Sequence, residues 1–296
     1  MFKNVLVGVD GSPRGRDAIA LASRLIPPDG KITLAHVRNA ELNPFDAITP
    51  GLVQEEREAS EKLLAKEAGN AVGAELVSVV AGDAGRGLHL RAEEQHADLL
   101  VVGSSGRGML GRAMLGDDTR AALNGAPCAV AIAAVGYSEH ASPIAKVGVA
   151  YNESPESKEA LAAARELAAA TRATVHPLEV VSIPTYAFIG MSPPLLGETV
   201  DTMLQEASAR MAQLPGVEVR AVYGLVGEEL AQFGDAVDIL VVGSRSYGPL
   251  RRLVLGSTSN YLERHARCSL LVLPRGAAAG GEPVSTTEIQ AENVIA

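Results

Sequence analysis

The sequence repeats itself once at the scale of a whole domain, and this limits the fold more than any other feature. Asp98-Leu99-Leu100-Val101-Val102-Gly103-Ser104 returns as Asp238-Ile239-Leu240-Val241-Val242-Gly243-Ser244, an offset of 140 residues. The same offset carries Leu115-Gly116 onto Leu255-Gly256 and Cys128 onto Cys268. Upstream the offset is 142: Ser12-Pro13 matches Ser154-Pro155, Ala18 matches Ala160, Leu25 matches Leu167 and Gly82 matches Gly224. The two-residue change therefore falls between Gly82 and Asp98, in a helix or its flanking loop. Collinear landmarks over this distance mean duplication of a domain and not of a short solenoid unit. A chain of 296 residues has room for two such domains. The boundary is expected in 136–145, where polar and turn-forming residues from Gly136 to Pro143 interrupt the apolar pattern. That gives domains 1–137 and 138–275. Residues 276–296 begin with Ala and Gly through Gly281 and continue polar, as in a mostly disordered tail.

Within each copy, short β-branched runs alternate with longer helical patterns. Strands are expected at 3–9, 31–37, 76–80, 98–103 and 128–133, and again near 146–151, 174–181, 217–223, 238–243 and 268–273. Ser12-Pro13 and Ser154-Pro155 each supply an N-cap followed by Pro at the first helical position. The alternation predicts an α/β fold of parallel βαβ units, with the two copies related by a pseudo-two-fold axis. Each is a five-stranded parallel sheet with right-handed crossovers, flanked by helices. Composition agrees. With 47% hydrophobic residues, 3% aromatic residues and no Trp, the interior must be filled by Val, Leu, Ile and Ala, as in parallel sheets covered on both faces.

A formal charge of −9 argues against a nonspecific nucleic-acid surface. No segment reaches the roughly 18 consecutive apolar residues of a membrane helix. The start of the chain lacks the apolar core and cleavage site of a secretory signal, so a cytoplasmic location is expected, with neither membrane nor nucleic acid as a partner. Cys128 and Cys268 both lead into apolar runs and read as small buried core residues, and no CxxC or Cys/His spacing suits a metal. His36, His89, His96, His140, His176 and His265 are scattered without a recurring partner, so no base is nominated for a nucleophile and no catalytic residue is assigned.

Open parallel sheets bind ligands beyond the carboxyl ends of their strands. After the first strand the copies read Asp10-Gly11-Ser12-Pro13 and Asn152-Glu153-Ser154-Pro155. A carboxylate there can accept hydrogen bonds from both hydroxyls of a ribose, and an amide can do part of this; either can equally be an Asx-turn or capping residue. After the fourth strand come Gly103-Ser104-Ser105-Gly106, nine residues, then Gly116-Asp117-Asp118-Thr119. Copy two has Gly243-Ser244-Arg245-Ser246, nine residues, then Gly256-Ser257-Thr258-Ser259. Glycines at a strand end let backbone amides approach phosphate oxygens, and a helix N-terminus offers unpaired N–H groups. Arg107, Arg112, Arg251 and Arg252 in these spans can reach phosphates or a partner's acids, or stay solvated.

The spacing Gly-x2-Gly-x9-Gly followed by a hydroxyl residue, with an Asp at the first strand end, resembles the ATP-binding motif of universal stress proteins. The likeness covers essentially 1–275 and includes the Val-Asp-Gly-Ser-Pro start, the Asp-Leu-Leu-Val-Val-Gly-Ser strand, the Gly-Arg-Gly segment and the Leu-Gly turn. It implies two Rossmann-like domains of the adenine nucleotide alpha hydrolase-like type that bind ATP or AMP, with or without Mg, and no redox cofactor. It implies Asp10 on the ribose, the backbone near Val37 or Val180 at the adenine, and the glycine loop on the phosphates. The candidate nucleotide-binding residues are then Asp10, Gly11, Ser12, Val37, Gly103, Gly106, Gly108, Gly116 and Thr119 in copy one. In copy two they are Asn152, Val180, Gly243, Gly248, Gly256, Ser257 and Thr258. The likeness also implies a homodimer of tandem chains and a regulatory stress-response role, not an enzyme, with weak ATP hydrolysis at most. The alternatives are an interaction module working through exposed last strands or symmetric faces, and a nucleotide-dependent enzyme.

Both copies depart from the pattern. Asp117 and Asp118 stand where the family places a phosphate-facing Ser; they complement the helix dipole but repel a triphosphate. Copy one is therefore expected to prefer a nucleoside or monophosphate, to need a cation, or to be empty. Copy two keeps Gly256-Ser257-Thr258 but has Asn152 for the Asp, Glu153 for Gly11 and Ser246 for the second glycine. Two nonequivalent sites follow, copy one the better ribose binder and copy two the better phosphate binder. The GxGxxG run Gly106 to Gly111 follows the fourth strand and not the first, and copy two reads Ser246-Tyr247-Gly248-Pro249-Leu250-Arg251 there, so no dinucleotide site is expected. No Gly-Lys-Ser/Thr P-loop exists.

Overall fold

In a computed structural model, the described residues are 1–39, 50–104, 117–140, 142–183, 193–244, 253 and 256–274. Copy one runs β1 (Asn4–Gly8), α1 (Pro13–Leu25), β2 (Lys31–Asn39), α2 (Pro50–Glu67), β3 (Glu75–Ala81), α3 (Ala84–Glu94), β4 (Leu99–Gly103), α4 (Asp117–Leu123) and β5 (Ala129–Ala133). Copy two repeats it as β6 (Lys146–Ala150), α5 (Pro155–Thr171), β7 (Thr174–Val181), α6 (Pro193–Met211), β8 (Arg220–Tyr223), α7 (Val226–Phe233), β9 (Ile239–Gly243), α8 (Ser257–His265) and β10 (Ser269–Leu273). All ten expected strands are present; the largest displacement is at β8, which begins at Arg220 and not near 217. The N-caps work as the sequence predicts. The Ser12 hydroxyl accepts from the Arg14 N–H and the Ser154 hydroxyl from the Ser157 N–H, each with Pro in the first turn.

The strand order is β3-β2-β1-β4-β5-β10-β9-β6-β7-β8, one sheet of ten strands. Pairing is parallel within each copy, but β5 and β10 pair antiparallel, Leu271 opposite Ala131. This corrects the expectation of last strands exposed for assembly: they are each other's partners. Every residue of both strands is buried, and an open edge of that composition would template aggregation, so pairing them removes a liability from each copy. Alternate strand residues supply two apolar layers, each continuous across both copies. Val5, Val7, Leu99, Val149 and Val241 face α1, α2, α5 and α6, whereas Leu6, Leu100, Val130, Leu240 and Val272 face α3, α4, α7 and α8. The seam has polar ties too. Arg120 donates to Asn260, its own counterpart in the other copy, at 2.9 Å. Leu253, fully buried, exchanges backbone hydrogen bonds with Gly125 and Ala126.

Several repeated residues have purely structural work. Asp98 accepts from the Lys3 and Asn4 N–H groups at 2.7 and 3.1 Å, and Asp238 accepts from Ala145 and Lys146, both at 2.8 Å. The acid that opens the repeated motif thus fastens the start of the copy's first strand. The two-residue offset change falls between buried Leu88 and Leu230 on one side and buried Ala97 and Val237 on the other, at the C-terminal end of α3 and α7. Cys128 and Cys268 are free and buried, and burial pushes both thiols up to about 12, which makes them unreactive. No helix among the described residues is long and apolar enough to cross a membrane.

Asp17, buried on α1, holds the turn between the copies: its carboxylate accepts from the Gly136 N–H at 2.9 Å and from the Ser138 N–H and hydroxyl at 2.8 and 2.6 Å. Asp17→Ala orphans those donors and should lower unfolding stability by about 2–3 kcal/mol, read as a lower urea midpoint at unchanged slope.

Candidate functional site: two clefts at the strand ends

In copy one, β1 and β4 are neighbours, yet α1 follows β1 onto one face of the sheet and α4 follows β4 onto the other. The crossovers part there, at the switch point where parallel sheets open a crevice. A cleft of about 180 Å³ lies at this point. Val9, Asp10, Arg14 and Gly15 line it from the turn into α1, Ala35, His36 and Val37 from β2, Ala84 and Leu88 from α3, and Val102, Gly103 and Thr119 complete it. Of the predicted residues, Asp10, Val37, Gly103 and Thr119 therefore meet. Gly11 and Ser12 shape the turn without lining the cleft. Gly106, Gly108, Gly116, Ser246 and Gly248, the arginines of the nine-residue spans, the tail 276–296, and the side chains of Asp117 and Asp118 lie outside the described residues.

Asp10 does make the Asx-turn, one carboxylate oxygen accepting from the Ser12 N–H at 3.0 Å, while the residue remains on the cleft wall. His36, half-buried beside it, bonds through Nδ1 to the Ser60 hydroxyl at 2.8 Å, and Ser60 continues to Ser78, which also accepts from Arg38 Nε. Burial lowers the His36 pKa, with Asp10 opposing and Arg38 assisting, so its imidazole is neutral at pH 7.

The second cleft, about 550 Å³, gathers Tyr151, Asn152, Ser154, Glu156, Ser157, Leu178, Val180, Leu225, Val226, Gly227, Glu228, Leu230, Val242, Gly243, Gly256, Ser257, Thr258 and Tyr261. It brings together every described residue predicted for copy two. Asn152 repeats the Asx-turn, its Oδ1 accepting from the Ser154 N–H at 3.2 Å. The α8 N-terminus has Gly256 as N-cap with no side-chain capping bond, and a Cβ on Gly256 would meet nothing within 4 Å. The charge of the described lining runs against the expectation that copy two is the better phosphate binder: Arg14 of the first cleft is replaced by Glu156, and Glu228 joins it. Among the described residues no three His, Cys, Asp or Glu groups gather to hold a metal, and no magnesium ligand is assigned.

The glycines ending β4 and β9 have a reason other than phosphate approach. A Cβ on Gly103 would lie 2.5 Å from the Arg14 carbonyl oxygen, and one on Gly243 would lie 2.6 Å from that of Glu156, so the missing side chain lets the first helical turn seat on the strand. Thr119 commits its hydroxyl to the Gly103 carbonyl at 2.9 Å. Gly11 adopts φ +77, and Glu153 takes the same left-handed conformation at φ 62, held by Arg210 at 3.3 Å. The turn needs that geometry in both copies, and copy two bears the side-chain strain.

A family model described as the Universal stress protein family matches residues 1–134 and again 143–274. The chain belongs to the universal stress protein family. Universal stress proteins of Mycobacterium bovis (strain ATCC BAA-935 / AF2122/97) and Mycobacterium tuberculosis (strain ATCC 25618 / H37Rv) are each 30% identical to it over 310 residues, covering 90% of this chain and 96% of the relative. A solved universal stress protein from Archaeoglobus fulgidus DSM 4304 superposes with a TM-score of 0.65 at 20% identity, over 92% of this chain and 96% of that one. A putative universal stress protein from Pseudomonas aeruginosa UCBPP-PA14 gives 0.61 at 17%, over 94% and 95%. At these identities the solved structures establish the shared fold of this universal stress protein.

Sequence reasoning missed Arg14 and His36 in the first cleft and Leu225, Val226 and Tyr261 in the second. Gly103→Ala and Gly243→Ala should each cost about 1–3 kcal/mol of stability by forcing a helix off its strand, measured by urea unfolding.

Proposed function

We propose that this universal stress protein is a regulatory, non-enzymatic binder of adenine nucleotide, ATP or AMP, in a cytoplasmic stress response, with two nonequivalent clefts. The first is the nucleotide site. The observation that supports this is the convergence of Asp10, Arg14 and Val37 at the β1/β4 switch point. In this reading Asp10 accepts from the ribose hydroxyls, the base lies against the apolar wall of Ala35, Val37 and Leu88, and Arg14 meets phosphate at the start of α1. Occupancy then favours the binding-competent state by mass action, which is how a binder without turnover reports nucleotide level. In the same reading, two tandem chains pair into a homodimer. Because β5 and β10 are already mutually paired, contact between chains uses other surfaces.

Millimolar ATP or AMP should raise the melting temperature by a few degrees, the size given by occupancy well above Kd. Asp10→Ala should weaken binding about tenfold or more through loss of charge-assisted hydrogen bonds. Gly256→Ala meets no clash but puts Ala at the N-cap of α8, so it should lower the melting temperature of the free protein by no more than a few degrees. An unchanged melting temperature with both nucleotides rejects the reading.

A further inference from the structure

We propose that the second cleft takes an uncharged nucleoside bearing an apolar substituent on its base, and not a nucleoside phosphate. This rests on the reading of the clefts as nucleoside sites and separates their ligands. In copy one, α3 opens with Asp83, whose carboxylate accepts from the Arg86 N–H at 2.8 Å, followed by Ala84 on the cleft wall. In copy two the same positions are Leu225 and Val226. Leu225 makes no side-chain capping bond and is 62% exposed, Val226 is 36% exposed, and both line the cleft. Giving up a cap and placing two large apolar side chains in water both work against the free protein, and a ligand that covers the side chains recovers the second of these costs.

The position of this patch selects the base end of a nucleoside. Val222 of β8 pairs with Val180 of β7, so the chain reaches Leu225 just beyond the strand beside the residue expected at the base. Val180 and Leu230 continue the apolar wall inward. Tyr261 closes it, stacked on His265 at 3.9 Å and seated so near α7 that a Cβ on Gly227 would fall 2.7 Å from its ring. The charges select against phosphate. Arg14 of copy one is Glu156 in copy two, and Glu228 lies on the same cleft, so among the described lining residues an anionic tail meets two carboxylates. Asn152 keeps an uncharged amide that can both donate to and accept from ribose hydroxyls.

The test is calorimetric titration of the full chain with N6-benzyladenosine, adenosine and ATP, on the wild type and on the double variant Leu225→Asp with Val226→Ala, which installs copy one's residues. The wild type should bind N6-benzyladenosine about tenfold or more tighter than adenosine, the gain expected for covering apolar surface of this size. The variant should lose that gain, bind ATP as the wild type does, and melt no lower, since Asp at this position restores a helix cap. The proposal is overturned if N6-benzyladenosine has no advantage over adenosine, if the variant retains the advantage, or if the variant changes ATP affinity. If ATP binds normally and only the benzyl advantage is missing, the nucleotide reading stands alone; if none of the three ligands binds, both readings fall.

Discussion

Two apolar strands, Ala129–Ala133 and Ser269–Leu273, hydrogen-bond antiparallel across the boundary between the copies, and the rest of the architecture depends on that ladder. Without it each copy would end in a strand whose five residues are apolar or small and whose backbone groups lack a partner on one side, in the middle of a core. With it, the two sheets become one and both helix layers run through without a break. The ladder also brings α4 and α8 together, so that Arg120 and Asn260 meet one residue from Thr119 on the first cleft and from Ser259 and Tyr261 on the second.

The repeated residues are largely about building this frame. Asp98 and Asp238 fasten first strands, Gly103 and Gly243 admit the first turns of α1 and α5, and Gly11 and Glu153 supply the same left-handed turn. Chemical difference between the copies lies in positions that the frame leaves free. Arg14 becomes Glu156, Asp10 becomes Asn152, and the Asp83-Ala84 pair becomes Leu225-Val226. One scaffold thus presents two crevices at equivalent places with different charge and polarity.

The strands were legible because parallel strands buried on both faces write themselves as short apolar runs, and the duplication printed each run twice. The β5 to β10 pairing was not legible, because antiparallel contact between copies leaves no fixed spacing in the chain and either strand alone looks like an edge. Asp10, Gly103 and Thr119 could be grouped because strand ends in this topology converge, whereas Val37 was reached through the family resemblance. The reason for Gly103 could not, since the carbonyl that a Cβ would strike belongs to a helix that precedes it by most of a domain. His36 was passed over because its partners Ser60 and Ser78 come from separate elements. Leu225 and Val226 were visible at the shared offset, but only their exposure beside a crevice gives them meaning.

In the proposed function, adenine nucleotide is held in the first cleft through the turn after β1. A crystal structure of the full chain grown with saturating AMP tests this most directly. The ribose should lie within hydrogen-bond distance of the Asp10 carboxylate, with the base beside Val37 and phosphate at Arg14. Clear nucleotide elsewhere on the molecule, or an empty first cleft at saturation, contradicts it.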